Sequence, residues 1–142
     1  MKPKDALYKA GTRIHLALFN LSKGRIFAKA PRMPFIELFT TGRKSGKERS
    51  TMLSVPIVED ERLVVVASFG GDDRHPAWYL NLQTNPEVRV TIAGSTRTMI
   101  ARTATDEERA ELWPQITSTH GGYARYQERT ERQIPVVILD PR

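Results

Sequence analysis

Apolar residues recur along the chain with two periods, and the switches between them mark out its elements. Between residues 5 and 22, Leu7, Ile14, Leu18 and Leu21 fall on one side of a helix with Lys9 and Arg13 elsewhere, and Gly24 ends it. A basic connector carrying Pro31 and Pro34 leads into Phe35–Phe39, a short β-rich run. Strand-like residues resume at Met52–Val58, turn at Glu59-Asp60-Glu61 and return through Leu63–Ser68. Pro76 stands where position N1 of a helix would be, so Pro76–Gln83 reads as a short helix that Asn85-Pro86 stops. Val88, Val90 and Ile92 alternate with Arg89 and Thr91, the period of a half-buried strand. Ala93-Gly94-Ser95 predicts a hairpin turn into a return strand, Thr96–Thr103. Thr105 and Glu108 form a capping box, and Asp106, Glu107 and Glu108 suit the positive end of the helix that follows, to about residue 118. Ile134–Leu139 closes the series as a strand. The order α-ββ-β-α-ββ-α-β, with its antiparallel hairpins, predicts a mainly β protein with helices, a closed or partly closed barrel rather than a doubly wound sheet.

Length and composition narrow this picture. A chain of 142 residues has room for one ordinary domain. The expectation is a single domain over 1–142, with helix and connector in 1–34 and the barrel core in 35–142. There is no cysteine, which excludes disulfides, thiolate nucleophiles and iron–sulfur clusters. No apolar run approaches the ~18 residues that span a bilayer, and the basic N-terminus is not followed by a signal-peptide pattern, so a cytoplasmic location is expected. The net charge of +6 is uneven: residues 1–49 carry twelve basic side chains against Asp5, Glu37 and Glu48. The basic half calls for an anionic partner. Nucleic acid is the weakest choice, because no base-stacking aromatics accompany the charge. Residues 5–22 could instead lie peripherally on anionic lipid, or pack on the barrel.

Several motifs fail on spacing. The run Gly42-Arg43-Lys44-Ser45-Gly46-Lys47 has three residues between its glycines and Glu48 after the lysine, where a phosphate loop needs four and Ser or Thr. Ser45 lacks the frame of a nucleophile elbow. His15, His75 and His120 are scattered, so no metal site is expected.

Three segments carry more. The loop from Thr40 to Arg49 offers Arg43, Lys44, Lys47 and Arg49, with Ser45, to a multiply anionic tail, although a solvated hairpin turn has the same composition. In the segment Ser68-Phe69-Gly70-Gly71 the paired glycines let backbone approach a flat ring, and the helix after Pro76 presents its positive end. Trp78 in that helix could equally be core. Tyr123 and Tyr126 are three apart and could share a helical face, covering a pocket and donating hydrogen bonds to a substrate oxygen; packing tyrosines would look the same.

Taken together, T-G-R-K-S-G-K at 41–47, H-P-A-W-Y-x-N-L at 75–82, T-D-E-E-R-A-E-L-W-P at 105–114, Y-x-x-Y-Q at 123–127 and R-Q-I-P-V-V-I-L-D at 132–140 resemble the deazaflavin (F420)-dependent nitroreductase family over about residues 36–141. The resemblance implies a split β-barrel of the FMN-binding, flavin-reductase-like type. It implies coenzyme F420, an 8-hydroxy-5-deazaflavin with an anionic phosphodiester and oligoglutamate tail, as a hydride donor to a quinone, enone or nitroaromatic. By that likeness Arg43, Lys44, Ser45, Lys47 and Arg49 would take the tail. Ser68, Phe69, Gly70 and Gly71 would line the ring, Trp78 and Asn81 would support that wall, and Tyr123, Tyr126 and Ser68 would serve the substrate. His120 and Gly121-Gly122 depart from the family's pattern and imply a reshaped substrate lid. An FMN-dependent oxidoreductase on the same barrel, and a non-catalytic carrier of the coenzyme, are the alternatives. The chain could be a monomer or a homodimer.

Overall fold

The computed structural model describes residues 33–142. Seven strands form one sheet: β1 (Phe35–Thr41), β2 (Glu48–Ser54), β3 (Ile57–Glu59), β4 (Arg62–Val66), β5 (Glu87–Ile92), β6 (Ser95–Thr103) and β7 (Val136–Pro141). Their order is β2-β1-β5-β6-β7-β4-β3, and every neighbouring pair is antiparallel. The two edge strands, β2 and β3, are consecutive in the chain and joined only through Val55 and Pro56. The sheet therefore has to curl until its edges meet, which gives the half-barrel of a split-barrel fold. Three helices accompany it: α1 (Ala77–Thr84), α2 (Asp106–Thr119) and α3 (Gly122–Glu128).

Burial follows the strand period. Ile36 and Leu38 of β1, Val88 and Val90 of β5 and Met99 and Ala101 of β6 face the barrel interior, which Trp78, Tyr79 and Leu82 of α1 close. Strands β4 and β7 are buried on both faces. Leu63, Val65, Val137 and Leu139 join the interior, while Val64, Val66, Val136 and Ile138 pack outward on Leu112 and Ile116 of α2 and Tyr123 of α3. Double burial explains why Leu63-Val64-Val65-Val66 reads as a continuous apolar run and Val88–Ile92 as an alternating one.

An ion network fixes α2 to the sheet. Arg102 of β6 meets Glu108 at 2.7 Å and Asp140 at 3.0 Å, and Arg62 of β4 meets Asp140 at 2.9 Å. The capping box forms as the sequence predicts: Glu108 donates its N–H to Thr105 Oγ1 at 3.2 Å, and Thr105 donates to Glu108 Oε1 at 2.9 Å. The hydrogen bond from Arg102, with that from the Thr105 backbone, holds the Glu108 carboxyl down at about 2.

Several strand ends shift by two residues, as at β1, β4 and β7, and three further differences have a physical cause. The run Met52–Val58 is two strands, because Pro56 has no N–H to continue a ladder and the N–H of Val55 turns to Pro34 O at 2.8 Å. Glu48 and Arg49, expected in the loop, and residues 50–51, left unassigned before Met52, are strand, drawn into it by pairing with β1 as Thr40↔Arg49 and Thr41↔Glu48. Pro76 caps α1 from outside, in extended conformation, instead of opening it. The helix expected over residues 5–22, the connector up to residue 32 and the lipid contact suggested for them lie outside the described residues. No helix among the described residues is long and apolar enough to cross a membrane.

Candidate functional site

The β1–β2 hairpin turn carries the cationic loop. Gly42 N–H donates to Lys47 O and Gly46 N–H to Gly42 O, both at 2.8 Å, and the Lys47 N–H bonds to Ser45 Oγ at 3.2 Å. Two glycines are required here for different reasons: Gly46 has φ +71°, and a Cβ on Gly42 would stand 2.7 Å from Ser45 Oγ. The turn is tied across the barrel mouth to α1. Asn81, 4% exposed, accepts at Oδ1 from the backbone N–H and from Nη1 of Arg43, both at 3.1 Å, and its Nδ2 donates to Thr40 Oγ1 at 3.3 Å.

Between hairpin and helix lies a cavity of about 500 Å³. Arg43, Lys44, Ser45 and Arg49 line one side; Phe69, Pro76, Ala77 and Trp78 line the other, with Asn81 between them. Helix α1 begins at this wall with no side-chain cap on its first N–H groups, so its positive end adds to the cationic side. Trp78 is buried, and its indole N–H has no hydrogen-bond partner. A donor left without a partner is unusual in a finished core, and here the nitrogen is covered by protein while other atoms of Trp78 line the cavity.

The glycine turn follows β4. Phe69, Gly70 and Gly71 form one 3₁₀ turn in which all three have positive φ, at 47°, 64° and 84°. Only Phe69 of this turn lines the cavity. Gly71 packs away from it, and a Cβ there would meet Tyr126 O at 2.7 Å and two side-chain carbons of Arg129 at 3.0 Å. Ser68 is buried at the start of the turn, and its carbonyl accepts from Arg132 Nη2 at 2.9 Å. His75, just before α1, packs tilted against Tyr79 with ring centroids 5.0 Å apart and faces Arg132 Nη1 through Nδ1 at 3.3 Å. Burial, then the Arg132 charge, lowers its pKa, so the ring is neutral with Nδ1 as acceptor.

The tyrosines stand apart from these residues. Tyr123 is 7% exposed within the apolar cluster on the outer face of the sheet, and Tyr126 is half-buried beside it, their rings 6.2 Å apart. His120 caps the end of α2 and packs tilted against Tyr123 with ring centroids 5.6 Å apart, making a row of three rings that reaches the glycine turn at Tyr126. The structure thus brings Arg43, Lys44, Ser45, Arg49, Phe69, Trp78 and Asn81 to one cavity. Lys47, Ser68, Gly70, Gly71, Tyr123 and Tyr126 lie outside its lining. Sequence reasoning did not name Thr40, Gly42, Ser50, Thr51, Pro76 and Ala77 as site residues, and all six are in that lining. The hairpin register was the signal that could have found two of them, since it puts Arg49 and Thr51 on the same face as Thr40.

Residues 11–141 match the model of a family described as F420H(2)-dependent quinone reductase. An F420H(2)-dependent quinone reductase of Mycobacterium tuberculosis (strain ATCC 25618 / H37Rv) is 37% identical over 134 residues, 92% of this chain and 89% of that protein. Among solved structures, an F420-H2 dependent reductase, FDR-A, is 39% identical with a TM-score of 0.68, covering 75% of this chain and 94% of that one. A domain-swapped dimer is 34% identical with a TM-score of 0.70, covering 89% and 95%. A family model spanning nearly the whole sequence and relatives above 30% identity lead to one conclusion: the chain belongs to the F420H(2)-dependent quinone reductase family.

Proposed function

We propose that this chain binds reduced coenzyme F420 in the cavity between the β1–β2 hairpin and α1, and uses it to reduce a quinone-like electrophile. The observation that carries the reading is the division of that cavity into a cationic side, with Arg43, Lys44 and Arg49, and an apolar side, with Phe69, Pro76, Ala77 and Trp78. Coenzyme F420 is divided the same way, into an anionic tail and a flat ring. Its cavity volume of about 500 Å³ falls within the range of cofactor sites.

When bound, the coenzyme supplies a hydride from C5 of its reduced ring. The chain's own residues bind and orient. Arg43 and Lys44 meet the phosphodiester and carboxylates, Arg43 held in place by Asn81 while Lys44 is exposed and carries its charge on a long flexible stem. Ser45, Lys47 and the paired glycines complete the loop and the turn on either side. Trp78 supports the apolar wall on which the flat ring rests. Tyr126, outside the cavity lining but beside the glycine turn and the more exposed of the two phenols, would donate a hydrogen bond from its hydroxyl to the oxygen of an electrophile that extends past that turn; Tyr123 packs behind it, and Ser68, buried at the start of the turn, supports Phe69. Replacing Tyr126 by Phe then lowers turnover more than coenzyme affinity.

Titration of oxidised F420 into the protein, followed by quenching of tryptophan fluorescence, tests the reading. Saturable binding that weakens with salt is expected. Joint replacement Arg43→Glu and Lys44→Glu should raise Kd at least about ten-fold, roughly 1.4 kcal/mol. An unchanged Kd contradicts the assignment. Co-purification of FMN with no response to F420 would instead favour the FMN-dependent alternative.

A further inference from the structure

Two arginines hold the glycine turn from the side opposite the cavity. Arg132 directs its guanidinium at the backbone of three residues. Its Nε donates to Asp72 O at 2.8 Å, its Nη2 to Ser68 O at 2.9 Å, and both Nη1 and Nη2 to Ala67 O at 3.4 Å. Arg129 Nη1 donates to Gly70 O at 3.2 Å. Between these anchors the chain runs through the three successive positive φ angles of Phe69, Gly70 and Gly71, and the Phe69 side chain lines the cavity.

Glycine adopts such angles freely, but phenylalanine does not, because its Cβ crowds the following carbonyl. A bulky residue stays there only where its surroundings over-determine the backbone. Here the surroundings are four carbonyls on consecutive turns of one loop, all drawn to guanidinium groups from the segment after α3. A fork of five planar donors can reach carbonyls on three residues at once, whereas an ammonium on a flexible stem can serve only those around a single point.

We propose that Arg132 is a positioning residue: its guanidinium, assisted by Arg129, holds the Ser68–Asp72 turn so that Phe69 stands as a wall of the coenzyme cavity. This rests on the reading of that cavity as the F420 site. It gives Arg132, which touches neither the cavity nor any residue of the cationic loop, control over the ring-binding side alone.

The test compares wild type, Arg132→Lys and Arg129→Ala by three measurements: melting temperature, amide hydrogen exchange of residues 69–72 without coenzyme, and Kd for oxidised F420 well below the melting temperature. Arg132→Lys keeps the charge and the aliphatic stem. It is expected to melt several degrees below wild type because backbone hydrogen bonds are lost, to exchange about ten-fold faster at residues 69–72, and to bind F420 about ten-fold more weakly at a temperature where it is fully folded. Arg129→Ala, at an exposed position, should show the same changes at about three-fold, confined to Gly70 and Gly71. A purely structural Arg132 would lower the melting temperature of the lysine variant and leave Kd unchanged, and that result overturns the proposal. Should Arg132→Lys fail to fold, Arg129→Ala decides: wild-type exchange and Kd in that variant also overturn it. A wild-type chain that binds no F420 overturns the cavity reading and the positioning role with it. Wild-type binding alongside equal binding by Arg132→Lys overturns the positioning role alone.

Discussion

Asn81 joins the cationic loop to α1, so its replacement separates the anchoring of the loop from the charge of the cavity. In Asn81→Ala three hydrogen bonds disappear: two from Arg43 at 3.1 Å and one to Thr40 Oγ1 at 3.3 Å. A neutral bond is worth about 0.5–1.5 kcal/mol and a charge-assisted one about 1.5–3 kcal/mol. Arg43 borders the cavity and regains water when released, whereas Thr40 is 3% exposed and does not. The expected loss is therefore about 2.5 kcal/mol, the lower end of the sum, or about 8 °C in melting temperature for a chain of this size. Asn81→Asp behaves differently. Its carboxylate still accepts from Arg43, and the Thr40 hydroxyl can reverse to donate, so stability should stay within about 0.5 kcal/mol of wild type. The added negative charge offsets one of the cavity's cations, and F420 affinity should fall about ten-fold. Urea unfolding followed by tryptophan fluorescence and F420 titration measure the two effects. If Asn81→Ala loses under about 0.5 kcal/mol, or Asn81→Asp binds F420 as tightly as wild type, the description of Asn81 as a clip beside an anion site is wrong.

Further outcomes follow from the same geometry. Gly71→Ala places a Cβ 2.7 Å from Tyr126 O at φ +84°, whereas Gly70→Ala at φ +64° meets nothing within 4 Å. Thermal melts should therefore show about 1–2 kcal/mol lost at Gly70 and clearly more at Gly71, and equal losses would count against the packing of α3 on the turn. The Glu108 carboxyl, held at about 2 chiefly by the Arg102 hydrogen bond, contributes stability that is fully present above about 4.5 and lost as pH falls towards 2. After discounting for a side chain 31% exposed, that contribution is about 1–2 kcal/mol. Glu108→Gln should flatten the stability profile between those pH values, and an unaltered slope would show that the Arg102 pair contributes little. Glu37 shifts the other way, raised chiefly by burial; its folded form holds a proton more tightly than the unfolded chain, so stability falls as pH rises through its pKa. Glu37→Gln should raise the melting temperature at pH 7 and leave it nearly unchanged at pH 4, and a drop at pH 7 would refute the sign.

How far the sequence could be read depended on how local each cause was. The alternation of Val88–Ile92, the Ala93-Gly94 turn and the Thr105/Glu108 capping box are decided by neighbouring residues, and each forms where the pattern places it. Residues 48–51 are polar and carry no strand signal of their own. They become β2 because β1 offers its hydrogen-bonding edge, a tertiary cause that composition does not display. The motifs identified the types of chemistry at the site, since a cationic glycine loop and an aromatic helix start are legible as such. They could not show that Asn81 reaches Arg43 across 38 positions, or that Arg132 reaches Ala67 across 65. Nor could the spacing of Tyr123 and Tyr126 show that one phenol is buried in the outer cluster while the other is only half covered.

The account turns on hydride leaving a coenzyme held by Arg43 and Lys44. The direct measurement is the reoxidation rate of reduced F420 with menadione as acceptor, wild type against the Arg43→Glu, Lys44→Glu variant. Reoxidation well above the enzyme-free rate in wild type, and a large loss of coenzyme saturation in the variant, is the predicted result. Wild-type reoxidation no faster than the enzyme-free control would contradict it.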